Sequence, residues 1–474
     1  MGPTTAPPPP TPSVSATVAL ENATVGQFDV AMSTSFQPAE WDYQFFANFP
    51  SATNPLNNLG PNHIRLQGIS QGVPQTSATT WDFTILDAIT PQVLSVGDHS
   101  PEFQIAVAPA FMYDAGHNFL DPTFQQFASY TQNLVRYYNK GGFSAPDGAH
   151  VSPSNRPIQW WGIYNEPNIN NLNATQYTQL YNVVVPAMQS IDPTIQFVGV
   201  ELSGGYSNWE QNFFPTFVQG VNARVDVVAD HFYSSCNQRD PDAQLFATVP
   251  GFASDVQTIY SILATNGTLV NVPVWITENN VNADFSNGNG MSMCNPNQPF
   301  VTDQRGSSAF FAAWRPYVFS QVGKAGARAL YHWAFPGDAQ YGEFNDQTGQ
   351  TRLSYWVDYW LGQMFPSASG QQLLQSTNSD ATDIEVLPVL NPNGSVVVMI
   401  SNHAVASASD NNGAGLTASV SVDVSALGNF TNGSQATLDS TTSPINGPTA
   451  RSISPHSPIA ITLKGYSVTF LALQ

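Results

Sequence analysis

The amino-acid sequence predicts an α/β fold, a (β/α)8 TIM barrel over residues 27–366 followed by a C-terminal antiparallel β-sandwich over residues 367–474. Three observations support this prediction. Strand-like and helix-like segments alternate through the first region. Two glutamates, Glu166 and Glu278, each close a short apolar run within that region. After residue 367 the pattern changes to short alternating runs separated by Asn/Gly turns.

The barrel prediction depends on eight buried-strand candidates, which are short runs rich in Val, Ile, Trp and Tyr. They are Phe28–Thr34, His63–Gln67, Gln104–Ala108, Ile158–Tyr164, Gln196–Val200, Val225–Phe232, Val272–Thr277 and Ala327–Trp333. Eight strands alternating with helices is the number that closes a β/α barrel. A doubly wound open sheet is the alternative, but the chain has no Gly-rich phosphate fingerprint of the G-x-G-x-x-G type.

Helical periodicity occurs between these strands. Apolar residues recur at i, i+3 and i+4 spacing in the segments Thr123–Tyr138, Thr175–Ser190, Ser254–Leu263 and Asp303–Val322. The second of these has a plausible N-cap at Asn173 or Thr175. Each segment is long enough to cover the outside of a barrel strand.

The regions outside the barrel have a different composition. Strand candidates Asp383–Pro388, Val396–Ser401, Ala418–Val424, Ile459–Leu463 and Tyr466–Leu473 are typical of a β-sandwich. We expect residues 13–26 to add a strand to that sandwich. Residues 1–12 are rich in Pro and Thr and are expected to form a disordered tail or linker.

Composition limits the classes of partner. The chain has 474 residues, only 13 Lys and Arg, and a formal net charge of −20. Such an acidic surface argues against nucleic-acid binding and against docking on anionic membranes. The sequence has no apolar stretch of about 18 residues that could span a membrane. An extracellular protein is expected, and sequons at six asparagines support a secretory origin weakly: Asn22, Asn173, Asn266, Asn393, Asn429 and Asn432.

The two glutamates suit glycosidic bond cleavage, which uses two carboxyl groups facing one cleft. We assign Glu166 as the acid/base and Glu278 as the nucleophile. Glu278 needs cationic or hydrogen-bonding neighbours to stay ionised. Arg65 and Tyr233 are candidates for that role, and Asn165 could hold a sugar hydroxyl beside the acid.

These motifs together resemble glycoside hydrolase clan A, the retaining β/α-barrel glycosidases. In that clan an Asn-Glu pair ends strand four, and the nucleophile ends strand seven. The resemblance implies substrate-binding roles for Arg65, Asn165, His231, Tyr233 and Trp333. Tyr-Asn-Glu-Pro-Asn, His-Phe-Tyr and Ile-Thr-Glu-Asn-Asn are most similar to family 39, although families 30, 51 and 79 share much of the pattern.

Family 39 includes β-xylosidases, so a secreted retaining enzyme of β-xylosidase type acting on a carbohydrate is the first expectation. Other clan A specificities remain open, namely β-glucuronidase, β-glucosidase, arabinofuranosidase or endo-glycanase. A catalytically inactive carbohydrate-binding barrel is a second reading, although both glutamates are present. An adhesion or structural protein is a third. No cofactor and no metal site are expected, because no His/Cys cluster has metal-ligand spacing.

Three further residues are candidates for shaping the cleft. Glu201 closes the fifth strand candidate and could bind substrate or play a structural part. Cys236 and Cys294 follow strands six and seven, whose loops are neighbours in a barrel. We expect a Cys236–Cys294 disulfide, with two free buried thiols as the alternative.

Overall fold

The structure is a computed structural model that describes residues 13–36, 43–59, 64–67, 72–96, 102–154, 156–204 and 212–474. The predicted tail, residues 1–12, lies outside these ranges, and so does His63 at the start of the second strand candidate.

The strands of the barrel region, in chain order with the N-terminal strand first, are β1 (Ser13–Gln27), β2 (Ala31–Phe36), β3 (Arg65–Gln67), β4 (Glu102–Ile105), β5 (Phe143–Ala145), β6 (Gly148–His150), β7 (Trp160–Ile163), β8 (Gln196–Leu202), β9 (Val227–Ser235), β10 (Val274–Asn282), β11 (Ala329–His332), β12 (Pro336–Gly337) and β13 (Phe344–Asn345). The C-terminal strands are β14 (Gln372–Asn378), β15 (Ile384–Leu390), β16 (Val396–Asn402), β17 (Thr417–Asp423), β18 (Gly433–Leu438), β19 (Arg451–Ile453), β20 (Ile459–Leu463) and β21 (Ser467–Leu473).

Eight of these strands form a closed parallel barrel in the order β10-β11-β2-β3-β4-β7-β8-β9. Closure is made where β11 pairs with β2, so the alternative of an open sheet is excluded. Each barrel strand overlaps one of the eight predicted segments, and the predicted fold class is confirmed. The carboxyl ends of all eight strands therefore meet at one face, where barrel active sites form.

The helices are α1 (Phe45–Asn48), α2 (Thr53–Asn58), α3 (Thr84–Ser95), α4 (Gln125–Asn139), α5 (Ala174–Gln189), α6 (Phe213–Gly220), α7 (Asp242–Leu263), α8 (Ala309–Lys324) and α9 (Leu353–Met364). The third predicted helix began at Ser254, whereas α7 begins at Asp242. Pro250 obscured its first half, because proline is normally unfavourable inside a helix. The helix continues through it because its apolar side chains are buried against the barrel.

The barrel interior has two layers. The lower layer is an apolar cluster, with Trp160 packed on Trp275 at 4.9 Å between ring centroids and Tyr331 beside them. Above it, towards the carboxyl ends, lies a layer of buried polar side chains that includes Arg65 and Gln104. Polar groups in such a position must be hydrogen-bonded to one another, because water is excluded.

The C-terminal region forms a mostly antiparallel sheet of nine strands, in the order β19-β18-β21-β16-β15-β14-β1-β17-β20. β1 pairs antiparallel with β14 and parallel with β17, so it joins the two halves of the sandwich. Strands β14, β18 and β19 were not predicted, because they carry few apolar residues.

β16 is buried on both faces, which explains its unbroken apolar run. Val396, Val398 and Ile400 face the sandwich core, whereas Val397 and Met399 join the larger core of the barrel and its helices. The sandwich is therefore packed firmly on the barrel. No helix in the described part of the chain is both long and apolar enough to cross a membrane.

One histidine is buried in the interface between the two domains. The ring of His403 stacks on Tyr317 at 4.2 Å between centroids, and its Nε2 lies 2.9 Å from the carbonyl oxygen of Thr382. Burial lowers the pKa of His403 to about 4, against the charge of Glu385, which acts in the opposite direction. As the pH falls, His403 is therefore protonated at a higher pH in the unfolded chain than in the folded protein.

This difference predicts that stability falls as the pH drops from about 6.5 to about 4, by on the order of 3 kcal/mol from this group. In His403→Gln, which keeps an amide donor for Thr382 but cannot become charged, the fall should be smaller by that amount. Urea unfolding at a series of pH values measures it, with exposed His456→Gln as the matched control. The same pH dependence in wild type and His403→Gln would contradict the assignment.

Candidate active site

The two glutamates stand at irregular ends of their strands. Glu166 follows β7 with φ of +43°, a left-handed conformation that is uncommon for a residue with a side chain. Glu278 lies within β10 at a shift of register against β9 between Ile276 and Glu278. Irregularities of this kind redirect side chains and are frequent next to active sites. Both carboxylates thereby reach the same face of the barrel.

Glu278 is held by donors on both of its oxygens. Nη1 of Arg65 donates to Oε1 at 2.8 Å, and the hydroxyl of Tyr233 donates to Oε2 at 2.8 Å. Burial alone would raise the pKa of Glu278, but the positive charges of His231 and Arg65 and the Tyr233 bond outweigh it and lower that pKa. This carboxyl is therefore kept ionised, as attack on a carbon atom requires.

Glu166 has a different neighbour. Nδ1 of His231 lies 2.9 Å from Oε1 of Glu166 and 3.6 Å from Oε2 of Glu278. Burial would lower the pKa of His231, but the charge of Glu278, the hydrogen bond to Glu166 and the nearby carboxyl group of Glu201 raise it to about 10. A protonated imidazole thus stands between the two carboxyl groups.

The separation of the two carboxyl groups is short. Oxygen atoms of Glu166 and Glu278 and a ring nitrogen of His231 all lie within 4.8 Å of one another. Retaining glycosidases place their carboxyl groups about 5–5.5 Å apart, whereas inverting enzymes need about 6.5–9.5 Å to admit a water molecule. The Glu166 side chain is 17 % exposed and that of Glu278 is 7 % exposed, so the pair can be reached from the cleft.

Asn165 and Trp333 complete the accessible part of the site. Oδ1 of Asn165 accepts from Arg65 at 3.0 Å and from Gln104 at 2.7 Å. Since the oxygen is occupied, the amide NH2 is the end left to donate to a ligand. The half-buried Trp333 ring lies 6.0 Å from the Arg65 guanidinium carbon and presents an aromatic wall.

Of the six residues expected to bind substrate, three are fully buried: Arg65, Glu201 and His231. For Glu201 the surroundings favour the structural alternative, because its Oε2 accepts from Arg65 at 2.6 Å and from Gln104 at 2.9 Å beneath the cleft. Arg65 and His231 act on the two glutamates from below instead of touching the cleft. Asn165 and Tyr233 remain close enough to the surface for the role expected of them.

The sequence analysis missed two polar residues of this layer, Glu102 and Gln104. Both lie on β4, where side chains two residues apart face the same side. The predicted strand began at Gln104 and so omitted Glu102 and Phe103. Period-two polar residues in an otherwise apolar strand were the signal that could have identified them.

The Asn-Asn pair after Glu278 links three barrel strands. Nδ2 of Asn279 donates to the carbonyl oxygen of Phe232 on β9 at 2.6 Å, and Arg315 donates to its Oδ1. Nδ2 of Asn280 donates to the carbonyl oxygen of Trp333, just after β11. The two amides therefore fix the end of β10 against its neighbours on both sides.

The predicted disulfide is present between Cys236 and Cys294. It joins the segment after β9 to the long segment after β10, and Nδ2 of Asn295 adds a bond to the carbonyl oxygen of Cys236 at 2.9 Å. Both segments leave the barrel at the catalytic face. The link restrains one wall beside the cleft.

Three clusters in the described part of the chain bring metal-ligating groups together. In one, the sulfurs of Cys236 and Cys294 are bonded to each other and cannot bind a metal. The second is the group of Glu166, His231 and Glu278 already described, in which Nδ1 of His231 bonds to Glu166. The third contains His332, Glu343 and Asp358. Its Asp358 already pairs with Arg315 at 2.9 Å.

Comparison with known sequences gives two matches. Residues 155–305 match the family described as Glycosyl hydrolases family 39, and Glu166, His231 and Glu278 all lie in this range. A β-xylosidase of Geobacillus stearothermophilus is 35 % identical over 77 residues, which is 15 % of this chain. The chain spans 15 % of the length of that relative.

Solved structures show the same fold over nearly the whole chain. A family 51 α-L-arabinofuranosidase from Bifidobacterium longum has a TM-score of 0.70 at 12 % identity, covering 97 % of this chain and 99 % of its own. A monomeric β-xylosidase from Caulobacter crescentus has a TM-score of 0.64 at 14 % identity, with 97 % and 99 % covered. A family 30 xylanase from Clostridium acetobutylicum has a TM-score of 0.61 at 16 % identity, with 96 % and 99 % covered.

The family 39 match and the shared fold confirm the resemblance to clan A. The predicted enzyme class, an O-glycosyl hydrolase, agrees with the family 39 match.

The raised pKa of His231 leads to a prediction that needs no substrate. Its imidazole should carry both ring protons at neutral pH, with a pKa near 10. Glu278→Gln removes the charge that raises it most, so the pKa should fall by at least about one unit. Nitrogen-15 NMR of the ring measures both values, with the signal assigned by its loss in His231→Asn. A neutral His231 ring at pH 7 in the wild type would contradict the charge arrangement.

Proposed function

We propose that this protein hydrolyses glycosidic bonds with retention of configuration, by double displacement. The observation that carries the proposal is the short separation of the Glu166 and Glu278 carboxyl oxygens, within 4.8 Å, at the open end of the barrel. The unlike surroundings of the two groups support a division of roles. Arg65, Tyr233 and His231 favour the ionised form of Glu278. Glu166 is the more exposed of the two, and among the described residues its close side-chain partner is His231.

In the first step, Glu278 attacks the anomeric carbon while Glu166 gives a proton to the leaving oxygen. The bond to the leaving group breaks, and the sugar is held as an ester on Glu278. Arg65 and Tyr233 keep the attacking oxygen ionised and aimed. His231 stabilises the negative charge that Glu166 acquires when its proton leaves.

In the second step, Glu166 takes a proton from a water molecule, and that water attacks the same anomeric carbon from the side vacated by the leaving group. The ester bond to Glu278 breaks, and the carboxylate returns to Arg65 and Tyr233. Two inversions give net retention. A bell-shaped pH profile with an acidic optimum is expected, because one carboxyl group must be ionised and the other protonated.

For the substrate we propose a β-xyloside or a related plant or microbial glycoside. The support is the family 39 match and the relatives named as β-xylosidases. A panel of nitrophenyl β-xyloside, β-glucoside, β-glucuronide and α-arabinofuranoside compares the alternatives. The proposal for the sugar fails if another glycoside is hydrolysed with a clearly higher kcat/KM than the xyloside.

We also propose that the protein acts outside the cell. The disulfide suits an oxidising compartment. The net charge of −20 with only 13 basic residues suits acidic surroundings, where part of the carboxylates are neutralised.

The role proposed for Glu278 predicts a chemical rescue. Glu278→Ala should lower kcat by several orders of magnitude on the best nitrophenyl glycoside, because no group remains to form the ester. Added azide should enter the vacated space, restore part of the rate and give a glycosyl azide of inverted configuration. Retention of more than about a tenth of the wild-type kcat would contradict the assignment.

The role proposed for Glu166 predicts a dependence on the leaving group. In Glu166→Ala, the rate of glycosidic bond cleavage should fall far less for dinitrophenyl glycosides than for natural glycosides, because dinitrophenolate departs without protonation. Asn165→Ala provides a neighbouring control that should affect both substrates similarly. Equal losses for both substrates in Glu166→Ala would argue against this role.

A further inference from the structure

The floor of the cleft contains more buried acid than its cations balance. The carboxyl groups of Glu102, Glu201 and Glu278 face a single guanidinium, that of Arg65, at 3.8, 2.6 and 2.8 Å. Exposure of the three carboxyl side chains is 0, 0 and 7 %. An ionised carboxylate away from water is costly unless it is paired and hydrogen-bonded.

The other charged group nearby does not remove the excess. His231 places Nε2 at 3.8 Å from Glu201 and Nδ1 at 3.6 Å from Glu278, but its close contact is with Glu166. Four carboxyl groups therefore surround two cations. Two of these four carboxyl groups must therefore carry a proton for the charges to balance. Glu166 holds one of these protons in the proposed mechanism, and the other must lie on one of the three buried carboxyl groups.

Glu102 is the group whose surroundings fit a protonated state. Neither of its oxygens has a hydrogen-bond donor in the described part of the chain, and Oε1 of Glu201 has none either. Those two side chains converge above Gly162. A Cβ atom on Gly162 would lie 2.4 Å from Oε1 of Glu201 and 2.8 Å from Oε1 of Glu102, so only glycine leaves room for both.

Two carboxylate oxygens brought together in this way repel each other unless a proton lies between them. Burial and the charge of Glu201 raise the pKa of Glu102 well above its usual range, against the charge of Arg65. A proton on Glu102 gives Oε1 of Glu201 the donor that it lacks.

We propose that Glu102 and Glu201 share one proton and act as a pair of positioning residues for the nucleophile. Glu201, fixed by this proton, holds Nε and Nη2 of Arg65. Only Nη1 is then left to reach Glu278. The catalytic consequence rests on the proposed function, whereas the shared proton does not.

The groups that face the pair come from four strands. They are Arg65 on β3, Gln104 on β4, His231 on β9, and Thr277 with Glu278 on β10. Gln104 and Thr277 are neutral donors to Oε2 of Glu201. Among the described residues, the charged groups facing the pair are therefore the two cations and Glu278, and Tyr177 on α5 stays neutral because burial and the charge of Glu201 raise its pKa.

Three substitutions test the proposal through kcat/KM and its pH profile. Glu102→Gln keeps a neutral donor for Glu201, so kcat/KM should fall by about threefold or less. The acid limb of the pH profile should not move. Glu102→Leu places a side chain without a hydrogen-bond donor at the same position, so kcat/KM should fall by about tenfold or more. Glu201→Gln removes the charge that competes for Arg65. The pKa of Glu278 should then fall, and the acid limb should move to lower pH by about one unit.

Carbon-13 NMR of the glutamate carboxyl groups tests the shared proton without any turnover. At pH 7 a signal with the shift of an un-ionised acid should vanish in Glu102→Gln, whereas any such signal from Glu166 or from Glu343, whose pKa burial also raises, should remain. If Glu102→Gln does not fold, the same signal should change in Glu201→Gln, which removes the partner carboxyl group. If that signal is present but the wild type hydrolyses no glycoside, the proposed function fails and the pair stands. The pair is overturned if every carboxyl signal is that of an ionised group at pH 7. It is also overturned if Glu102→Gln is as damaging as Glu102→Leu and shifts the acid limb.

Discussion

The guanidinium group of Arg65, buried beneath the cleft, is the element on which the rest of the site depends. One side chain bonds to Glu278, Asn165 and Glu201, and it thereby joins the proposed nucleophile, the residue before the proposed acid and the buried support. A buried charge of this kind is stable only when all of its partners are present. Removing one partner leaves an uncompensated charge in the interior, which is strongly destabilising. The barrel accordingly provides carboxyl, amide and hydroxyl groups from several strands around it.

The two layers of the barrel interior separate stability from chemistry. The apolar cluster around Trp160 and Trp275 fills the lower half as an ordinary core. The polar layer above it is costly to assemble, and it is retained because it fixes the direction of each donor. The polar layer lies beneath the irregular strand ends, so it connects the stable core below with the reactive groups above. The bend at Val200 and Glu201, with φ of +79° and +44°, turns the Glu201 carboxyl inward instead of towards the cleft.

Much of this arrangement could be predicted from the sequence, for physical reasons. The eight strands could be identified because each is a short apolar run. Glu166 and Glu278 could be identified because a carboxylate at the end of such a run is unusual. The burial of Glu201 was not, because a shift of register by one residue reverses the face to which a side chain points. Glu102 was missed because the predicted strand began two residues later, at Gln104, so that the period-two relation of the two polar side chains was cut off. Strands such as β19 were missed because they form by pairing with a neighbouring strand, here β18, and their composition is not typical of a strand.

The central claim is that two closely placed carboxyl groups act in succession through an ester on Glu278. The configuration of the first-formed product tests this claim most directly, because the sugar anomer released before mutarotation records the number of displacements. Proton NMR of the reaction in its first minutes, on the best nitrophenyl glycoside, observes that anomer. The account predicts an anomeric proton with the configuration of the substrate. Initial appearance of the opposite anomer would mean a single displacement by water and would contradict it.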